Sequence, residues 1–332
     1  MEPTVSVTSP APQRPRLLMT GVPPADVRQR AQALFDLVVW EAPEAIGDRL
    51  LDHVQGMDAL VVMPGDRLDA ATIARLPASV QVLGTYSVGT DHVDLQAASA
   101  RGLRVFHTPD VLTEAVADLT LFLVVAAARD TTSAEQALRN GQWGRWAPTG
   151  MLGRSLQGLR LGVFGMGRIG QAVAARARPF GLAIHYHNRT PLPAHLALGA
   201  TYHGTLDALC CHSDVLCVCA PSSPALKGAI NAERLALLPP GALLVNVARG
   251  DLVDEEALFA HMATGRLSGV AMDVYRNEPR IDPRWLAMPR TTLLPHIGSA
   301  THEVRSAMGL LVLNGVASHF GLASGGCCAN PT

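Results

Sequence analysis

Residues Leu161 to Gly170 read LGVFGMGRIG, so that Gly165, Gly167 and Gly170 fill a G-x-G-x-x-G pattern. An apolar strand pattern over Arg160–Phe164 precedes it, and a helical pattern over Gln171–Pro179 follows. The first glycine permits a tight turn, the second lets backbone approach a diphosphate, and the third lets the helix pack closely on the strand. The N-terminus of the helix then faces the anion. Glycine is common in turns, so the pattern alone is weak. With a strand before it and a helix after it, it predicts a dinucleotide cradle formed by Gly165, Gly167, Arg168, Ile169 and Gly170.

Working outward, short β-branched or Leu-rich runs alternate with helical patterns. Arg16–Thr20, Leu37–Trp40, Ala59–Met63, Val80–Gly84 and Arg104–Phe106 read as a first set of strands, with helical spacing over Pro24–Phe35 and Ala70–Leu76. Val111–Asn140 reads as one or two long helices. A second series has strands at Arg160–Phe164, Ala183–His187, Val215–Cys219, Ala242–Val247, Gly269–Asp273 and Thr292–Leu294, and Thr301–Phe320 closes the chain as a long helix. Alternation of this kind predicts the α/β class: two Rossmann-like or flavodoxin-like parallel-sheet domains with an active-site cleft between them. The expected division is residues 1–106 with 297–332 as a substrate-binding domain, and 107–296 as the nucleotide-binding domain.

Composition narrows the function classes. Apolar residues make up 48% of the 332-residue chain and charged residues 17%, enough for two sizeable cores. Lys+Arg 27 against Asp+Glu 28 leaves no basic footprint for nucleic acid or a membrane surface. The strongest apolar run, Leu119–Ala128, falls short of the roughly 20 residues a bilayer span needs. Glu2–Pro15 is polar and Pro-rich without an apolar core, so a flexible lead-in is expected rather than a signal peptide. Cys210, Cys211, Cys217, Cys219, Cys327 and Cys328 all fall late in the chain and lack a disulfide spacing, which suits a reducing, cytoplasmic setting. Cys217 and Cys219 read as small hydrophobes of a buried strand, and Cys327 and Cys328 as exposed thiols. His185 and His187 share a strand face but lack a third ligand, so no metal is expected.

The strand after the glycine loop tests which dinucleotide is favoured. An NAD site usually ends it in Asp or Glu, about twenty residues on, to accept from the ribose 2′-hydroxyl. Here the chain reads His187-Asn188-Arg189-Thr190. A carboxylate would repel a 2′-phosphate, whereas Asn188, Arg189 and Thr190 can donate to one, Arg189 through two parallel bonds. NADP, as NADPH, is therefore expected, and an unselective polar loop leaves NAD possible.

Three more strands end in charged residues. LLVNVARGDLVD (Leu243–Asp254) places Arg249 after one, VAMDVYRNEP (Val270–Pro279) places Asp273 and Glu278 at the end of another, and LLPHIGSAT (Leu293–Thr301) supplies His296. Carboxyl ends of parallel strands line the ligand crevice of an open α/β sheet, so these four can converge. Singly, each has a bland reading: a surface charge, a turn residue, a histidine satisfied by its neighbours. Together they read as a reaction centre.

With YSVGTDHVD (Tyr86–Asp94), VLTEAVAD (Val111–Asp118), NVARG, DVYRNEP and HIGSAT, the chain resembles the D-isomer-specific 2-hydroxyacid dehydrogenases from about Arg16 to Phe320, and most of all the glyoxylate/hydroxypyruvate reductases. The resemblance implies hydride transfer from a reduced nicotinamide to a small 2-keto acid. His296 would act as general acid, Glu278 as its carboxylate partner, and Arg249 as the cation that binds and polarises the substrate. It also implies that backbone N–H groups of Val88 and Gly89 receive the substrate carboxylate and that Asp273 accepts from the nicotinamide amide. Further cofactor contacts would come from Ala220, Pro221, Val247, Ala248, Gly298 and Ser299. Trp146 would reach into a partner's active site, and the apolar run Leu119–Ala128, a liability if left exposed, supports an intersubunit helix contact and hence a homodimer. A rival expectation is a dimeric dinucleotide-sensing protein of the same fold, resembling the corepressors that share it, which binds without turnover.

Overall fold

The computed structural model describes residues 14–42 and 46–322, and the chain divides into two compact units. The greater part of the expected lead-in, and Cys327 and Cys328, lie outside the described residues.

The first unit is a five-stranded parallel sheet. Its strands are β1 (Arg16–Met19), β2 (Asp36–Val39), β3 (Ala59–Val62), β4 (Val82–Thr85) and β5 (Arg104–Phe106), in the order β2-β1-β3-β4-β5. That order is one of the two common doubly wound arrangements. Asp69 and Asp94 cap the helices Ala70–Arg75 and Leu95–Ala100 by accepting from Thr72 N–H and Ala97 N–H, each at 2.9 Å. The helix His302–His319 returns to this sheet from the far end of the sequence. Gly84 in β4 makes room for it, since a Cβ there would lie 2.7 Å from Val312 Cγ2.

The second unit is a seven-stranded parallel sheet. It comprises β6 (Arg160–Phe164), β7 (Ala183–His187), β8 (Thr201–Tyr202), β9 (Val215–Val218), β10 (Ala242–Asn246), β11 (Leu267–Met272) and β12 (Thr291–Leu293), in the order β12-β11-β10-β9-β6-β7-β8. Read from the other edge, this is the dinucleotide-fold order with one strand added, and its reversal point falls between β6 and β9. The two-residue β8 was not expected from the sequence, because so short a run carries no periodicity. Cys210 and Cys217 are buried in this unit, and burial pushes the Cys210 thiol up to about 12, in keeping with inert small hydrophobes. No helix among the described residues is long and apolar enough to cross a membrane.

The units divide after Val111 and after Thr301, not at 106/107 and 296/297. The segment after β5 stays with the first sheet because Thr108 N–H donates to the Ser87 carbonyl. Residues Ile297 and Gly298 stay with the second because Asp273 holds both their N–H groups. The apolar run Leu119–Ala128 is in large part covered by its own unit. It belongs to the helix Thr113–Arg129, and Leu123, Val124, Ala126, Ala127 and Ala128 are buried in the core of the second unit, with Phe122 exposed. Glu114, Asp118 and Phe122, four residues apart, line its exposed side. A second helix, Thr131–Arg139, follows after Asp130 adopts a left-handed conformation (φ +47°).

Beside β7 and β8, the rings of His185, His203 and His212 stack with centroids 4.9–6.2 Å apart, and His185 Nδ1 lies 2.9 Å from His203 Nε2. Burial, then the neighbouring imidazoles, depresses the pKa of His185, with Arg160 adding to the effect and Asp214 opposing it. His203 is depressed by burial, His212 and His187. A base whose folded-state pKa lies below its unfolded value of about 6.5 takes its proton first in the unfolded chain. Stability is therefore whole above that pH and is lost as pH falls through the depressed folded values. We expect the Tm to drop between pH 7 and pH 5, and His185→Phe to narrow the drop while keeping the stack. Equal drops in the two proteins, measured by differential scanning fluorimetry, would count against this account.

Candidate active site

Register places the candidate residues of the second unit on one edge. Phe164 pairs with His187 and Val218, Val218 with Asn246, Asn246 with Met272, and Met272 with Leu293. The residues just beyond these positions therefore emerge side by side at the carboxyl edge: the glycine loop, Asn188, Ala220, Val247–Arg249, Asp273 and the segment leading to His296.

At the reversal point, Gly165 has φ +96°, and a Cβ on it would lie 2.5 Å from Ala220 Cα and N. Only glycine fits both constraints. A Cβ on Gly170 would strike the Gly165 carbonyl, so this residue seats the helix against the loop. Gly167 differs, because nothing would stand within 4 Å of a Cβ there and its backbone faces open space. It is also the N-cap of the helix Arg168–Ala177 and supplies no side-chain cap, which leaves the first N–H groups of a ten-residue helix for an anion. Exposed Arg168 adds positive charge beside it, with Ile169 half-buried behind. These residues fit a dinucleotide diphosphate.

Asn188, expected to meet the nucleotide, sits against the glycine loop. Its Oδ1 accepts the Met166 N–H at 2.7 Å and its Nδ2 reaches the Met166 carbonyl at 3.4 Å, so the carboxamide braces the glycine loop. Arg189 and Thr190 remain exposed at the end of β7. Pro221 is exposed, while Val247, Ala248 and Ser299 are half-buried.

The histidine–carboxylate pair is assembled by backbone anchoring. His296 Nδ1 and Glu278 Oε2 are 2.6 Å apart, and both side chains are about one-third exposed, at 37% and 31%. A carboxylate only accepts, so Nδ1 carries the proton and Nε2 is the nitrogen left for substrate. The other oxygen of Glu278 accepts the Tyr275 N–H at 2.7 Å, which fixes the carboxylate plane. His296 has φ +55°, a left-handed conformation that costs of order 1–3 kcal/mol at a non-glycine residue unless the surroundings enforce it. Asp273 does the enforcing. It is buried at 1%, and its two oxygens accept the N–H groups of Ile297 at 2.7 Å and Gly298 at 2.8 Å. Burial holds this carboxyl above the usual carboxylate range, with the two N–H bonds opposing the rise. Asp273, expected to accept from a nicotinamide amide, thus also holds the His296 segment.

Arg249 follows β10 on a turn braced by Asn246. The buried Asn246 side chain accepts the Ala248 N–H at 3.0 Å and donates to the Arg249 carbonyl at 2.9 Å. Arg249 Nη1 donates to the Ala248 carbonyl at 2.8 Å. A Cβ on the next residue, Gly250, would overlap the Tyr275 backbone, so this turn lies directly on the loop that holds Glu278. Sequence reasoning gave Asn246 no role, although it opens the NVARG run. The buried end of a strand is where an amide must find partners, and that was the available signal.

Val88 and Gly89 belong to the first unit, after β4, and both are half-buried. Trp146 belongs to the second unit and is 76% exposed, in a stretch that also exposes Trp143, Met151 and Leu152. Among the described residues no group of three His, Cys, Asp or Glu is placed to hold a metal ion.

A dinucleotide cradle and a histidine–carboxylate pair on one strand edge define the class: a nucleotide-binding α/β oxidoreductase fold. The comparisons specify it. Residues 121–298 match the family model of the D-isomer specific 2-hydroxyacid dehydrogenase NAD-binding domain. A glyoxylate reductase of Pyrococcus furiosus is 37% identical over 305 residues, covering 90% of each chain. A glycerate dehydrogenase of Hyphomicrobium methylovorum is 34% identical, covering 88% of this chain and 92% of the relative. Among solved structures, an NADPH-dependent glyoxylate/hydroxypyruvate reductase of Sinorhizobium meliloti, in complex with NADP and malonate, superposes with a TM-score of 0.83 at 35% identity, over 96% of this chain and 97% of that one. The chain belongs to the D-isomer specific 2-hydroxyacid dehydrogenase family.

If Asp273 positions His296, Asp273→Asn should be damaging although it is isosteric. One backbone N–H would face an NH2 group, and a buried unsatisfied donor costs about 1–3 kcal/mol. A Tm lowered by several degrees together with a kcat reduced at least tenfold is the expected outcome. Unchanged values in calorimetry and steady-state assay would show that the clamp is dispensable.

Proposed function

We propose that this chain reduces a small 2-keto acid, such as glyoxylate, hydroxypyruvate or a 2-keto sugar acid, to the D-2-hydroxy acid with NADPH. The observation that carries the reading is the His296–Glu278 pair at 2.6 Å, on the strand edge that also bears Arg249 and the glycine loop. When bound, the reduced nicotinamide supplies a hydride to the keto carbon. His296 delivers the proton to the carbonyl oxygen from Nε2 while its Nδ1–H stays with Glu278, a general-acid role worth roughly 10²–10⁴-fold. Arg249 binds the substrate and polarises the carbonyl, stabilising negative charge on oxygen. The N–H groups of Val88 and Gly89 receive the carboxylate. Val247, Ala248, Gly298 and Ser299 lie along the same edge and, with Ala220 and Pro221, wall the nucleotide.

NADPH is preferred over NADH because no carboxylate ends β7, and exposed Arg189 makes no hydrogen bond or ion pair among the described residues. It offers a two-pronged donor to a 2′-phosphate. Free buried thiols suit a cytoplasmic location. A second copy of the chain covers the apolar side chains of Trp143, Trp146, Met151 and Leu152, giving a homodimer; a monomeric mass by light scattering would exclude it.

The decisive assay follows NADPH absorbance with a panel of 2-keto acids. Turnover with at least one small member is expected, and none with any member would leave a binding protein. His296→Ala should lower kcat by about 10²–10⁴-fold with NADPH affinity unchanged. Arg189→Ala should weaken NADPH by roughly ten- to a hundredfold and spare NADH, as expected for loss of a charged hydrogen bond. A parallel loss for both nucleotides would refute the 2′-phosphate assignment.

A further inference from the structure

In the first unit, every carbonyl of the turn Ser87-Val88-Gly89 is already engaged. The Ser87 carbonyl accepts the Thr108 N–H at 2.9 Å. The Val88 carbonyl is bonded to His107 Nδ1 at 3.0 Å. The Gly89 carbonyl accepts the Ser87 hydroxyl at 2.5 Å. Among the described residues, the N–H groups of Val88 and Gly89 donate to no partner. A turn with its acceptors occupied and two successive donors open is a receptor for an anion.

A peptide unit joins the carbonyl of one residue to the N–H of the next. The bond from His107 to the Val88 carbonyl therefore sets the plane of the peptide that carries the Gly89 N–H. It also draws electron density toward the oxygen, which makes that N–H a stronger donor. Thr108 does the same for the Val88 N–H through the main chain. Because a carbonyl only accepts, His107 must carry a proton on Nδ1.

The other side of the turn is fixed by a directional chain. Ser87 donates to Gly89, so Ser87 Oγ must accept from Thr85 Oγ1, 2.9 Å away. Thr85 Oγ1 must in turn accept from His92 Nε2 at 2.7 Å. Thr85 and Ser87 are buried at 0% and 6%, so the order runs from the edge inward and back to the turn.

We infer that His107 is a positioning residue for the substrate's carboxylate, acting through the Val88–Gly89 peptide, with Thr85, Ser87 and His92 holding the far side of the same turn. This rests on the proposed reading that the turn receives that carboxylate. The ligand class is a small carboxylic acid bearing an adjacent carbonyl.

Two substitutions separate positioning from packing. Asn Nδ2 stands the same number of bonds from the backbone as His Nδ1, so His107→Asn keeps the donor, while His107→Phe keeps a ring and loses it. In the full chain, His107→Phe should raise the KM for the keto acid about tenfold, the size of one lost hydrogen bond. The kcat should stay within about threefold and the KM for NADPH should not move, since only binding of one end is weakened. His107→Asn should restore the KM, and the inhibition constant of oxalate should follow it. An unchanged KM in His107→Phe, or an equal loss of kcat in both variants, overturns the inference. His107→Leu gives the same comparison should the phenyl ring disturb folding. Should the native chain turn over no keto acid, the proposed function fails by itself, and the Gly89 amide resonance still decides this inference. It should shift on oxalate addition in the native chain and in His107→Asn, and not in His107→Phe. No shift in the native chain, or one that persists in His107→Phe, overturns it.

Discussion

Everything chemical in the second unit depends on parallel register. The five strands β6, β9, β10, β11 and β12 pair so that Phe164, Val218, Asn246, Met272 and Leu293 stand abreast, and each then releases its chain at one edge. Parallel strands need crossovers, so residues adjacent on that edge come from distant sequence. Glu278 and His296 meet at 2.6 Å although a whole strand separates them. A shift of one residue in β11 or β12 would turn every following side chain to the other face and part the pair. The buried strands, Val- and Leu-rich on both faces, are what hold that register.

Having brought the loops together, the sheet still leaves them free to take many conformations. Three polar side chains at strand ends remove that freedom. Asn188 grips Met166 in the glycine loop, Asn246 grips Ala248 and Arg249, and Asp273 grips Ile297 and Gly298. In each case a side chain at the end of one strand satisfies backbone groups of a turn. The residues that face outward, Gly167, Arg249 and His296, owe their placement to neighbours that do not. Such a division suits a reaction centre, which needs donors fixed before substrate arrives.

The same division explains what could be read from the sequence. LGVFGMGRIG, the strand alternation and the strand ends that carry Arg249, Glu278 and His296 were legible because each depends on local pattern or on topology that pattern predicts. The edge strand Thr201–Tyr202 was not, because two residues carry no period. Leu119–Ala128 was legible only in part: apolarity shows that a helix is covered, but not how much of it its own sheet covers. Asn188 and Asp273 were read as ligand contacts while their backbone partners went unread, because a sequence tells which groups can donate or accept but not which backbone atoms lie near. His107 and His92 carried no signal at all, since their partners are carbonyl and hydroxyl groups that any sequence contains.

A common physical device links the two units. The glycine loop and the Ser87-Val88-Gly89 turn both present peptide N–H groups. Bare N–H groups on a loop are weak receptors, because the loop can rotate them toward water or toward its own carbonyls. Fixing the carbonyl of each peptide removes that escape. In the second unit the Gly165 N–H is tied to the His187 carbonyl and the Met166 N–H to Asn188, so the loop reaches Gly167 already oriented. In the first unit Thr108, His107 and Ser87 engage three successive carbonyls. Orientation in advance means that little conformational entropy is lost when an anion binds, and the dipoles are aligned without help from a formal charge. It follows that the direction of the N–H groups in both turns is set by residues other than those that carry them.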